Sequence, residues 1–243
     1  MTQDEWDLAA QVHYSFLPED FSNGRVDITV AVHPYSGLGG DYCSILPIDE
    51  HHIIVCMCDA VGHGVASALY AARINTFVQT HALQQREPCN IMDELNAYLC
   101  QRLAGTGMYA SFCALLLDLE VGEVKVASAA HPPVLLFQAE KKGLLQLASA
   151  TTFLGVSHPM PLMCGVDRIV VGAGDRLVLY SDGLIEVKDT ADVMWGVQGL
   201  EQAVRSNAHL AKREFNDQLL AASSGFSSAG AEDDILLLTI DIK

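Results

Sequence analysis

Apolar and polar positions alternate along this chain with two distinct periods. Over residues 4–17, Trp6, Ala9, Val12 and Phe16 recur at helical spacing, and Pro18 follows as a stop. Residues 26–34 (VDITVAVHP) alternate as a strand does, and residues 51–59 (HHIIVCMCD) form a denser apolar strand that ends at Asp59. The following AVGHGVASALYAARINTFVQT predicts a helix with Gly64 near its start and Val65, Ala68, Leu69 and Ala72 along one face. A second helix is predicted from Asn90, a good N-cap, with Asp93 in its first turn and Ile91, Leu95, Tyr98 and Leu99 as apolar positions.

From Tyr109 the texture changes to strands. YASFCALLLDLEVGEVKVASAA reads as two strands around a turn at Val121-Gly122, and strand-like pieces continue at 134–137, 144–147, 168–171 and 177–180. Residues 198–222 carry two helical stretches, residues 223–234 a loop of small residues, and ILLLTIDI a last strand. Strands joined by short turns favour antiparallel sheets, and helices grouped together favour an α+β fold over a doubly wound parallel sheet. No repeat or linker divides the chain, which predicts a lead-in helix over 1–20 and one domain over 21–243.

Half of the 243 residues are apolar, enough for a sizeable core, and the formal charge is −16. So acidic a surface repels phosphate backbones and anionic lipid, which argues against nucleic acid and membrane partners. A chain of this charge that handles phosphates needs cations to mediate. No secretory pattern opens the sequence and no apolar run is long enough to span a bilayer, so a cytoplasmic protein is expected. The seven cysteines include no Cys-x-x-Cys pair and read as reduced core thiols.

Carboxylates stand at the margins of rigid elements in four places. Asp41 follows Gly39-Gly40, Asp59 ends a strand before Gly62-His63-Gly64, Asp182 precedes Gly183 after RLVLYS, and Asp233 and Asp234 precede the last strand. Each alone reads as a turn former or cap. Together they suit a hard divalent cation, Mn²⁺ or Mg²⁺, which takes oxygen ligands and keeps several waters. A Gly-Gly-Asp-Glu-Phe cyclase is excluded because Tyr42-Cys43 follow Asp41, and a P-loop because Gly-x-x-x-x-Gly-Lys is absent.

GGDYCSI, CDAVGHGVASAL, AAHPPVLLF, FLGV, LVLYSDGLIEV and AEDDILLLTI occur in an order and spacing that resemble the PPM family of protein phosphatase 2C-like enzymes. The closer likeness is to the bacterial branch of the sporulation stage II and stress-response sigma-regulator phosphatases, whose lead-in LAAQVHYSFLPEDF also resembles. The resemblance covers nearly the whole chain. It implies an α-β-β-α sandwich of two antiparallel sheets flanked by helices. It implies metal-dependent hydrolysis of phosphoserine or phosphothreonine by a hydroxide shared between two ions.

Carried over by position, the resemblance makes Asp41, Asp59, Asp182 and Asp233 metal ligands, with the backbone carbonyl of Ala60. The doublet admits Asp234 in place of Asp233. His63 and Asp234 are candidates for hydrogen-bonding support, though the spacing of His63 from Asp59 departs from the eukaryotic relatives. His131 fits a structural turn with Pro132-Pro133, and Cys43 a packed thiol with no base beside it. Arg73 and Arg102 lie in helices, and neither is nominated to clamp phosphate. The branch implies a phosphorylated anti-sigma-factor antagonist as substrate and a homodimer or switch built on the lead-in helix. A catalytically silent module that binds a phosphoprotein is the rival reading, disfavoured by the intact acidic positions. The chain is either a stand-alone enzyme or a fragment of a longer sensor protein.

Overall fold

A computed structural model describes residues 2–35, 37–84, 86–160, 167–227, 230 and 233–243. In chain order the elements are α1 (Gln3–Tyr14), β1 (Phe21–Ser22), β2 (Val26–His33), β3 (Tyr42–Pro47), β4 (His52–Ala60), α2 (Val65–His81), α3 (Pro88–Arg102), β5 (Ala110–Asp118), β6 (Glu123–Ala129), β7 (Val134–Gln138), β8 (Gly143–Leu147), β9 (Asp167–Val170), β10 (Arg176–Tyr180), α4 (Gly196–Asn207), α5 (Lys212–Phe226) and β11 (Ile235–Ile242). They form two compact units, each drawn from three stretches of chain. The architecture is α+β, with two antiparallel sheets flanked by helices, in line with the element order.

The first unit holds Met1–Pro18, Ser36–His131 and Ala148–Val170. Its sheet runs β3-β4-β5-β6-β9, every neighbour antiparallel. Period-two alternation gives this sheet two apolar faces. Tyr42, Ile54, Cys56, Cys58, Phe112 and Ala114 point towards α2 and α3, where they meet Ala71, Ile74, Phe77, Val78, Ile91, Leu95 and Leu99. Val55, Met57, Cys113 and Leu115 are buried on the other face.

The helices depart from the predicted pattern in instructive ways. α1 opens on a capping box, Thr2 accepting from the Glu5 amide while the Glu5 carboxylate accepts from the Thr2 amide. α2 buries its Ala71-Ile74-Phe77-Val78 side, so of the predicted face only Ala68 is buried, while Val65 is 42% and Leu69 63% exposed. Those residues instead line an apolar groove of about 340 Å³ shared with Leu8, Ala9, Val12 and Phe16 of the N-terminal segment. α3 starts at Pro88, before Asn90, because proline is preset for the first helical turn and lacks only an amide with no partner there. Cys89 is disulfide-bonded, which departs from the expectation of reduced thiols, whereas Cys43, Cys56, Cys58, Cys100 and Cys113 are free.

The second unit holds Glu19–Tyr35, Pro132–Leu147 and Val171–Lys243. Its sheet runs β1-β2-β11-β10-β7-β8, so the last strand in sequence lies between β2 and β10. Leu135, Val178, Tyr180, Ile235 and Leu237 pack against Leu200, Val204, Phe215 and Leu219 of α4 and α5. The loop predicted over 223–234 falls partly outside the described residues, and α5 takes its first four positions. No helix among the described residues is long and apolar enough to cross a membrane.

The packed side of α2 can be read by mutation. Ile74→Ala is expected to lower unfolding free energy by about 3 kcal/mol, as for other buried large-to-small changes. Leu69→Ala should stay within about 0.5 kcal/mol. Urea denaturation of both variants checks the difference.

Candidate functional site

In the first unit, the β3–β4 pairing sets the positions of two aspartates. Tyr42 pairs with Cys58, and the Ala60 amide donates to the Gly40 carbonyl at 3.2 Å. Continuing that register one step back places Asp41 opposite Asp59 as a directly facing cross-strand pair. Both lie on the face away from α2 and α3, in line with Cys43 and Met57. Like charges directly opposite on a sheet repel, so this pair favours a cation. Asp41 is buried and Asp59 half-buried.

Gly40 is required there. A Cβ on residue 40 would lie 2.3 Å from the Ala60 carbonyl oxygen. The turn after β4 is fixed by the Val61 amide on the Tyr109 carbonyl (3.0 Å) and the Gly64 amide on the Leu38 carbonyl (3.0 Å), with Gly62 and Gly64 at φ 82° and 85°. His63 sits exposed on that turn.

The second unit repeats the device. Asp182 opens a 3₁₀ turn (Asp182–Leu184) after β10. Ser181 bridges β10 to β11. Its hydroxyl accepts from the Leu236 amide (2.9 Å) and donates to the Asp234 carbonyl (3.3 Å). A Cβ at Gly183 would lie 2.2 Å from that same Asp234 carbonyl.

The two aspartates of the Asp233-Asp234 doublet differ in setting. Asp234 is buried and its carboxylate accepts from the Tyr35 amide at 2.7 Å. Asp233 is coupled by charge to Asp182, whose carboxyl is pushed up to about 6 by burial, then by the charges of Glu186 and Asp233. Glu186 was not singled out in the sequence. Its position four residues after Asp182 is the signal, legible only once the 3₁₀ turn brings the two together.

The remaining candidates are placed as follows. Cys43 is fully buried, and burial first, then the Asp41 charge, hold its thiol far above the usual range, so it stays protonated and is no nucleophile. His131 is buried beside Ala130, which has φ 50° and donates its amide to the Thr151 carbonyl (2.9 Å). Arg73 donates to the Tyr98 hydroxyl from Nε (3.1 Å) and Nη2 (2.7 Å), and Arg102 is exposed at the end of α3. Each unit thus offers two aspartates beside a glycine-carbonyl contact. Within neither unit do the described residues gather three His, Cys, Asp or Glu side chains into a closed metal site. The all-oxygen donor chemistry and the uncompensated charge around Asp182 fit hard divalent cations.

Comparison with known proteins gives the class. The family model for Stage II sporulation protein E (SpoIIE) matches residues 49–243. The chain belongs to this family, and its fold is that of solved PP2C domains. It is 26% identical over 189 residues to phosphoserine phosphatase RsbP of Bacillus subtilis, covering 76% of this chain and 46% of that protein. The solved SiaA-PP2C domain of Pseudomonas aeruginosa superposes with a TM-score of 0.84 at 17% identity, over 99% of this chain and 96% of that one. RsbX, solved in complex with magnesium, superposes with a TM-score of 0.69 at 15% identity, over 92% of this chain and 98% of that one. The chain spans about half the length of the curated relatives it matches.

The raised Asp182 carboxyl sets a pH test. In the folded protein the group binds its proton more tightly than the ordinary value of 3.8 allows. Its contribution to stability is therefore full below about pH 4 and is lost as pH rises through about 6. In chelator-treated protein, Asp182→Asn should remove this slope and stabilise the fold above pH 6 by about 1–2 kcal/mol, after allowance for solvent screening. Thermal melting of both proteins across pH 4–8 reads it.

Proposed function

We propose that this domain is a metal-dependent phosphatase that removes phosphate from phosphoserine or phosphothreonine of a phosphorylated anti-sigma-factor antagonist, in a partner-switching pathway of the cytoplasm. The observation that carries the reading is the pairing of Asp41 with Asp59 at a site that only Gly40 admits, in a chain of the SpoIIE family. The names of the relatives, phosphoserine phosphatases RsbP and RsbU, support the substrate class.

In this reading Asp41, Asp59, Asp182 and Asp233 hold two or more Mn²⁺ or Mg²⁺ ions, with the Ala60 carbonyl as a further oxygen donor. Such ions supply a water acidified towards neutrality and offset charge on the phosphoryl oxygens. The protein's part is positional. Gly40 lets the Ala60 carbonyl approach, the β3–β4 register holds Asp41 beside Asp59, and the Ser181 bridge holds Asp182 at the end of β10. Asp233 takes the ligand role and Asp234 the supporting one, because Asp234 is engaged with the Tyr35 amide. His63, exposed on the turn after Asp59, remains a candidate supporting donor.

The lead-in helix over residues 1–20, ahead of the domain over 21–243, is assigned a dimerisation or switching role. Leu8 and Val12 are 61% and 60% exposed beside Val65 and Leu69, an unusual apolar stripe for a helix in water.

Phosphate release from a phosphoserine antagonist protein should require Mn²⁺ or Mg²⁺ and stop with chelator. Asp59→Asn and Asp182→Asn should each reduce it by about a hundredfold or more with the fold retained by circular dichroism. Undiminished turnover in both variants sinks the assignment, and tight phosphoprotein binding without turnover at any metal concentration establishes the silent module instead. Sedimentation of a Leu8→Glu, Leu69→Glu double variant should give monomer where the parent protein gives dimer.

A further inference from the structure

The second unit carries a basic pocket that the phosphatase reading does not use. The chain has only 14 Lys and Arg against 30 Asp and Glu. Three basic side chains, Lys142, Arg205 and His209, nevertheless line one open pocket of about 460 Å³, with Phe137, Ala139 and Ala208 half-buried beneath them. Several other cations of the chain meet acids, as in Arg86 with Asp49, Lys125 with Glu87, Lys188 with Asp192 and Arg213 with Asp20. Among the described residues, no carboxylate stands at ion-pairing distance from Lys142, Arg205 or His209.

Both walls are held in place. The Asp175 carboxylate accepts from the Ala139 amide (2.9 Å) and the Gly172 amide (2.9 Å), which fixes the start of the β7–β8 turn. Lys142 ends that turn at φ 48°, a left-handed conformation that glycine or asparagine adopts at lower cost. On the other wall, buried Arg176 lies 3.9 Å over the Phe215 ring and donates from Nη2 to the Leu210 carbonyl (2.9 Å), anchoring the segment that follows α4. Arg205 and His209 complement the negative end of α4. That accounts for the position of these two side chains but not for Lys142, which comes from a different element and a strained position.

We propose that Lys142, Arg205 and His209 form a binding site for a small organic anion, a phosphate or carboxylate carried on a ring or short apolar chain. The rim supplies charge-assisted hydrogen bonds to the anionic group. Phe137 and the two alanines receive the apolar part, and the volume is that of a small-molecule site. The lining includes none of the aspartates described above. The open setting makes binding weaken with salt.

The test uses phenylphosphonate, whose carbon–phosphorus bond a phosphatase does not cleave, with benzoate and inorganic phosphate as parallel probes. Chelator is present throughout, so that cations at the aspartates do not recruit the anion. Two-dimensional amide spectra of the full chain should show shifts at residues 139–143 and 205–209 with phenylphosphonate or benzoate. Lys142→Glu with Arg205→Glu should weaken that binding by about tenfold or more while leaving the melting temperature within a degree or so of the parent. Unchanged affinity in the double variant, or no shift at these amides, overturns the proposal. Inorganic phosphate binding as tightly as phenylphosphonate overturns the assignment to an organic anion.

Discussion

A hydrogen bond from the Ala60 amide to the Gly40 carbonyl closes two strands at the point where each delivers an aspartate. The strands approach so closely there that no side chain fits at residue 40. Because strand register is exact to the residue, that contact also fixes which face Asp41 and Asp59 occupy. A slip of one position would carry one of them to the helix side, among Tyr42, Cys56 and Cys58. The same pairing keeps Cys43 buried and protonated beside Asp41.

The second unit reaches a similar result by other means. There Gly183 replaces Gly40 and the Asp234 carbonyl replaces that of Ala60, with a serine hydroxyl bridging the strands. In both places the fold brings negative groups together near backbone carbonyls, an arrangement unfavourable without cations and favourable with them. The strong negative charge of the chain thus does not oppose phosphate chemistry, provided ions come first.

Much of this was legible in sequence because strands here alternate cleanly and glycines stand directly beside the aspartates. Most strand limits fall within one or two residues of the predicted ones. The packed face of α2 was not legible, since Val65 and Leu69 are as apolar as Ile74 and Val78. Only the tertiary partner decides which stripe is buried. The doublet could not be divided from sequence either, because Asp234 is distinguished by a backbone amide about 200 positions away. The basic pocket was invisible for the same reason: Lys142 lies far from Arg205 and His209 in the chain, and no local motif joins them.

The position of β11 has a consequence for how the protein comes into being. It is the last of the described strands in chain order, yet it lies in the interior of its sheet, between β2 and β10. While residues 235–242 are still inside the ribosome, β2 and β10 have no common partner, and the Ser181 bridge to Leu236 does not exist. Asp182 and Asp233 therefore take their places only after residues 235–242 have emerged. A nascent chain halted before β11 can complete the sheet of the first unit, with Asp41 opposite Asp59, but not the sheet of the second, so the assembly order itself delays the second unit until translation has passed that strand.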